Sequence, residues 1–280
     1  MGIEVNSAKF LGGEKRRGVR FERTLTLGHQ ELYMDDNEYR AIAESLGIPN
    51  RKTKYADDLF RGLGAATLDV MDVSDFEGAN VLHDLNQPVD TRLHGAYDCV
   101  FDGGALEHVF NFPLALKNCM EMVKVGGCFI TITPANNWCG HGFYQFSPEL
   151  FYSAFSSNDG FSVERLLFSH RDRWYSVREP ADARERVELF TCDPIQLYVT
   201  ARRCKQKPIF AAWPQQSDYA RAWNAGKNVE NSAGSKKSVK EVLVGHSRLL
   251  RKLQTSWRNY KQRRRYSPSN RAWFTPVKLD

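Results

Sequence analysis

The sequence has no Cys-x-x-Cys pair, no Cys/His spacing suited to zinc, and no apolar run approaching the roughly 18 residues that a membrane span requires. Its start, MGIEVNSAKFLGGEKRRG, carries neither the apolar stretch nor the cleavage site of a secretory signal. Gly2 is not followed by a hydroxyl residue at the place a myristoylation signal demands, because Asn6 stands there and Ser7 comes one position late. A cytoplasmic location is expected, with Cys99, Cys119, Cys128, Cys139, Cys192 and Cys204 as reduced thiols. His29, His83, His94, His170 and His246 show no metal spacing with Asp or Glu, so no metal centre is expected.

What is present is ordinary globular composition: 280 residues, 42% hydrophobic and 26% charged. That excludes collagen-like, coiled-coil and wholly disordered chains. Charge divides unevenly. Residues 205–280 hold 17 Lys/Arg against 4 Asp/Glu, whereas residues 1–204 hold 22 against 29. An acidic body carrying a basic tail suggests an anionic partner for the tail, or a solvated extension.

From residue 21, strand-length apolar runs alternate with helix-like segments, the pattern of a parallel sheet covered on both faces. Strands are expected at Thr24–Gly28, Ala66–Asp72, Ala79–Asp84, Tyr97–Asp102 and Cys128–Thr133. The second and third follow so closely that the usual crossover helix is shortened or absent. Asn37 is read as a helix cap with Gly47 as the stop. Tyr55, Leu59 and Leu63 mark a second helix ended by Gly64, and Asn111 with Pro113 begins a third. Ser147-Pro148-Glu149 is a strong helix start. Phe161–Phe168 and Gln196–Arg203 are two final strands, read as an antiparallel pair at the edge. The charged insert between them, with Arg171, Arg173, Trp174 and Tyr175, is expected to cross the open end of the sheet.

The segment YDCVFDGGALEHVFNFPLALKNCMEMVKVGGCFITITPANNWCGHGFYQFSPELF resembles the second half of a class I S-adenosylmethionine-dependent methyltransferase. In that family the fourth strand ends beside the methyl donor, an E-H-V stretch follows, a K-x-G-G turn leads to the fifth strand, and the next loop faces the acceptor. The resemblance covers roughly residues 21–204 and is most specific over 97–155. It implies a Rossmann-like doubly wound, mostly parallel sheet with an antiparallel edge strand, S-adenosyl-L-methionine as cofactor, and methyl transfer. The family's Gly-rich turn after the first strand is missing: TLTLGHQELYM keeps only Gly28. Either Thr26, His29 or Gln30 supplies polar contacts in its place, or cofactor affinity is lost.

The resemblance places Asp72 at the ribose position, with Asp69 as rival, and Asp84 and Leu85 at the adenine. Asp102, Gly103 and Gly104 fall beside the sulfonium. Each carboxylate has the alternative reading of a solvated strand end. A base near neutral pKa helps when the acceptor is a hydroxyl or protonated amine, which makes His141 and His108 the catalytic candidates. His108 can equally be a structural hydrogen-bonding residue. His141 sits with Trp138, Phe143, Tyr144 and Gln145 in the loop expected to face the acceptor.

The expected organisation is an N-terminal extension (1–20), a methyltransferase-like domain (21–204), a linker (205–237), and a basic amphipathic helix and tail (238–280). In the tail, Ser238 and Glu241 form a capping-box pattern. Val239, Val242, Leu249, Leu253, Trp257 and Tyr260 recur at helical spacing ahead of Arg263, Arg264 and Arg265. Such a helix can dock on its own body, make a homo-oligomer, or lie on an anionic membrane surface. The expected activity is methyl transfer to oxygen or nitrogen of a small-molecule or sugar-like acceptor, because an acidic body repels polyanions. A non-catalytic methyltransferase-like scaffold is the first alternative. A nucleic-acid methyltransferase guided by the tail is the second, disfavoured because no nucleic-acid module accompanies the charge.

Overall fold

The structure, a computed structural model, describes residues 2–183, 186–225, 256–257, 259–261 and 263–279. The chain runs β1 (Gly2–Glu4), α1 (Val5–Arg16), β2 (Arg23–Leu27), β3 (Glu31–Tyr33), α2 (Asp36–Leu46), α3 (Asp57–Leu63), β4 (Thr67–Asp72), β5 (Val81–Leu82) and β6 (Tyr97–Asp102). It continues with α4 (Phe112–Met122), β7 (Val123–Asn136), α5 (Pro148–Ala154), β8 (Phe161–His170), β9 (Arg173–Val177), α6 (Pro180–Ala183), β10 (Ile195–Arg203), α7 (Ser217–Ala225) and β11 (Phe274–Val277). Among the described residues no helix is long and apolar enough to cross a membrane.

Local chemistry explains the elements that position the site. Asp35, rather than Asn37, caps α2: its carboxylate accepts from the Asn37 and Glu38 amides while Glu38 reaches back to the Asp35 N–H. Gly47 closes α2 in the left-handed conformation, as expected. Ser147 caps α5 through the Leu150 amide, with Pro148 in the first turn. Asn111 makes no side-chain cap; its side chain and amide are both engaged with Asn86. All six residues of β6 are buried, which is why its sequence shows no alternation of apolar and polar positions.

Nine strands form one mixed sheet in the order β11-β9-β8-β10-β7-β6-β2-β4-β5. Strands β5, β4, β2, β6 and β7 are parallel; β10 runs antiparallel to both β7 and β8. One face packs Leu25, Leu27, Val100 and Phe129 against α4 and α5. The other packs Phe101, Cys128 and Ile130 against α1, α2 and α3. This is a Rossmann-like doubly wound architecture.

Three features differ from the sequence reading. The expected N-terminal extension contributes Ile3, Phe10 and Leu11 to the core, all fully buried, and β1 pairs in parallel with β3. The β8–β10 pair is not the edge, because β9 and β11 lie outside it. The residues named in the charged insert do not cross the open end of the sheet; its later part does reach the end of β7, where Asn136 donates to the Leu189 carbonyl and Asn137 to those of Thr191 and Asp193. Arg173–Val177 is strand β9, with the adjacent Trp174 and Tyr175 both buried and Arg173 exposed, so its sequence shows no alternation that would mark a strand.

Within the expected linker, Ser217–Ala225 is helical. Of the proposed amphipathic helix, Ser238, Glu241, Val239, Val242, Leu249 and Leu253 lie outside the described residues. Trp257 and Tyr260 are described, helical and exposed.

The last strand is built into the body. Phe274 is 1% exposed and meets Phe168 edge-on, with ring centroids 5.2 Å apart. Phe274→Ala is expected to destabilise the protein by about 3–5 kcal/mol, read from the midpoint and slope of chemical denaturation.

Candidate functional site

The order β4-β2-β6 sets the site. Strand β2 has a parallel neighbour on each side, so the loops leaving β2 and β6 diverge and open a crevice beyond the carboxyl ends. A cavity of about 450 Å³ lies there. Gly28 forms its floor, in the left-handed region at φ 71°, with its amide donating to the Met71 carbonyl. Asp72 follows from the end of β4, Asp84 and Leu85 from the loop after β5, and His108 from the turn after β6.

Asp72 and Asp84 are held by their own turns. Asp72 Oδ1 accepts from the Val73 amide at 2.6 Å. Asp84 Oδ1 accepts from the Asn86 amide and side chain, which hold its carboxyl below the ordinary range. In both, Oδ2 makes no hydrogen bond within the described residues. Asp69 is turned away from the cavity, bonded to the Asn80 side chain and paired with Arg23. The loop that carries Asp84 and Leu85 rests on Asn118, a fully buried residue of α4. Its Oδ1 accepts from the Val89 amide, and its Nδ2 donates to the Leu85 and Gln87 carbonyls.

A second cavity, about 250 Å³, adjoins the first across the turn from Gly103 to His108. Gly103, Gly104 and Glu107 line it, with Trp138 and His141 from the loop after β7 and Glu4 and Tyr33 from the N-terminal strand pair. His108 and His141 meet edge to face, centroids 5.0 Å apart. His141 Nε2 lies 3.3 Å from Glu107 Oε1.

Glu107 was not singled out in the sequence. It is fully buried, and neither carboxylate oxygen has a hydrogen-bond partner. Burial, and then the neighbouring Asp102 charge, push its carboxyl up to about 8. Burial, and then the facing His141, push His108 down. An acidic residue next to a histidine in a turn has no spacing signature. The available signal was position alone, directly after a wholly buried strand and two glycines.

Three expected contacts lie elsewhere. Thr26 is buried on the face that carries Phe101, its register partner, away from both cavities. His29 is stacked on Tyr55 at 3.6 Å and held by the Glu77 carbonyl and Asp57, so it anchors the loop after β2 instead of lining the crevice. Asp102 faces inward. Its carboxylate accepts from the Ala105 and Leu106 amides and the Thr131 hydroxyl, which shapes the turn bearing Gly103, Gly104 and Glu107.

Gln30, 1% exposed, fills the space left by the missing glycines. Its Nε2 donates to the Leu27 carbonyl at 2.7 Å and more weakly to that of Gly28. Its Oε1 is buried without a hydrogen-bond partner and lies 2.1 Å from where a Cβ on Gly103 would sit, so a side chain at 103 requires Gln30 to move.

No protein-family model matches the sequence, and no curated protein is similar to it. Solved structures similar in fold include the S-adenosylmethionine-dependent methyltransferase from Mesorhizobium loti, at 13% identity and TM-score 0.39, covering 68% of this chain and 96% of that one. The trans-methyltransferase CalH in complex with SAH matches at 14% identity and TM-score 0.38, over 71% and 57% of the two chains. The [4+2]-cyclase SpnF matches at 13% identity and TM-score 0.40, over 70% and 79%.

Asn118→Ala removes three hydrogen bonds from the loop bearing Asp84 and leaves buried backbone groups unpaired. A loss of about 1–3 kcal/mol is expected in chemical denaturation.

Proposed function

We propose that the chain transfers a methyl group from S-adenosylmethionine to oxygen or nitrogen of a small-molecule or sugar-like acceptor. One observation carries this reading: two adjoining cavities meet at the turn after β6, one edged by strand-end carboxylates and the other by an imidazole–carboxylate group.

The residues present fit the cofactor at both ends. Asp72 and Asp84 each keep one carboxylate oxygen for a donor, which suits ribose hydroxyls at the first and the adenine amino group at the second, with Leu85 as an apolar wall. The orphaned Gln30 Oε1 is a buried acceptor packed against Gly103, which lines the second cavity; turned into that cavity it would suit the ammonium of the methionine portion. The cofactor, when bound, supplies a methyl group already activated on a positive sulfur. What remains for the protein is alignment and handling of the acceptor's proton. Gly103 and Gly104 permit close backbone approach between the cavities. Trp138 and Tyr33 offer aromatic faces to an acceptor, and His141 stands where its proton would leave.

A non-catalytic scaffold has one observation in its favour, because Gln30 Nε2 already engages the carbonyls of Leu27 and Gly28. The two readings part on binding. Calorimetric titration is expected to show S-adenosylmethionine binding more tightly than adenosine, and no heat at millimolar ligand overturns the methyl-transfer reading. Asp72→Asn should weaken both ligands about tenfold or more, the equivalent of one charge-assisted hydrogen bond. Gln30→Leu should weaken S-adenosylmethionine while leaving adenosine unchanged. His141→Ala should keep cofactor affinity and lose turnover on any acceptor found.

A further inference from the structure

The wall between the two cavities carries more than an acid–base pair. The side-chain donor atoms of Glu107, His108 and His141 all lie within 4.8 Å of one another. Glu107 Oε1 and His141 Nε2 are 3.3 Å apart, close to the roughly 3.4 Å that separates two ligand atoms around a tetrahedral ion with bonds of about 2.1 Å. We propose that these three side chains form a binding site for one divalent transition-metal ion of the zinc or cobalt kind, its remaining coordination position opening into the cavity lined by Trp138 and Glu4.

Two independent observations support the site. The first is the carboxylate of Glu107, which is 0% exposed with neither oxygen hydrogen-bonded. Such a carboxylate, whose one close neighbour is a histidine that carries charge only when protonated, is costly to ionise, and a bound cation removes that cost. The second is the rigidity of the ligand frame. The turn Leu106–His108 is shaped by Asp102, and the loop after β7 is tied to it where the Phe143 amide donates to the Glu107 carbonyl at 2.8 Å. Gly142 permits this approach. It sits at φ 72°, and a Cβ there would lie 2.8 Å from the Glu107 carbonyl oxygen. Trp138 anchors the same loop, donating Nε1 to the Ile195 carbonyl and its backbone N–H to Gln145 Oε1. Such contacts fix the backbone from which the three ligands project.

Donor chemistry selects the ion. Two imidazoles and one carboxylate suit zinc, cobalt, nickel or iron and not the all-oxygen preference of magnesium or calcium. His141 is about half exposed on the cavity side, so the site is reachable and leaves room for a further oxygen ligand. That oxygen would be the acceptor's, more acidic beside the ion than in water, and with the ion bound its proton leaves to solvent, since His141 Nε2 is then a ligand and not a base. This role rests on the methyl-transfer reading; binding of the ion does not.

The test uses the full chain, stripped with a chelator and titrated with Co²⁺. One equivalent is expected to bind, with the visible absorption of low-symmetry cobalt, and to be displaced by Zn²⁺. His108→Ala and His141→Ala, both at surface positions, should each weaken Co²⁺ by more than about a thousandfold, beyond the about tenfold to hundredfold typical of a lost supporting contact. Glu107→Gln keeps the volume of a buried side chain and should do the same, with far-UV circular dichroism checking the fold. His94→Ala and Cys139→Ser should leave the spectrum unchanged. Absence of a one-equivalent spectrum, or a spectrum insensitive to His108→Ala and His141→Ala, overturns the proposal. S-adenosylmethionine calorimetry on the same protein separates the two ideas. Cobalt binding without cofactor binding sinks methyl transfer alone, and cofactor binding without cobalt sinks the metal site alone.

Discussion

Everything at the candidate site depends on one arrangement, the parallel seating of β2 between β4 and β6. A parallel strand must be followed by a crossover, and crossovers that leave in opposite directions cannot cover the gap between them. The register Leu27↔Met71 and Leu27↔Asp102 brings the ends of three strands level, so Gly28, Asp72 and the turn after Asp102 come together although 30 or more residues separate them along the chain. A one-residue slip in β6 would turn Asp102 from its inward hydrogen bonds and undo the turn that carries Glu107.

The site is also where the molecule tolerates cost. Gln30 Oε1 and both Glu107 oxygens are among the buried side-chain polar atoms that make no hydrogen bond within the described residues, and Glu107 is the one residue there with both its oxygens in that state. Such groups persist when the surrounding packing over-determines them, and here Phe101, Ile132 and the inward hydrogen bonds of Asp102 do so. Stability given up at one rim of the sheet is offset by the two apolar layers beneath it, which also explains why the expected N-terminal extension and the tail strand are drawn into the core.

The legible parts of the sequence were those governed by local physics. Gly47 and Gly64 stop their helices, Ser147 caps α5, and the run from Tyr97 to Asp102 is a central strand. Asp72, Asp84, Leu85, Gly28 and His108 were named from strand-end position and resemblance, and all line one cavity. Less legible were elements whose partners are remote. Strand β9 shows no alternation, β11 is four residues stabilised by a neighbour nearly a hundred positions away, and α1 buries Gly12 and Gly13 where a helical pattern calls for large apolar groups. Thr26, His29 and Asp102 were placed by proximity to the right loop, but one bond rotation decides whether a side chain faces a ligand or its own backbone.

Sequence by itself determined the alternation of strand and helix, the switch point and the acidic strand ends, because periodicity, capping and the restricted conformations of glycine act within a few residues. Only the tertiary structure decided that Gln30 fills the place of the missing glycines, and that Glu107 stands buried and without a hydrogen bond beside two histidines from separate loops. Those facts depend on which surfaces exclude water, and desolvation is a property of the packed molecule, not of any segment of its chain.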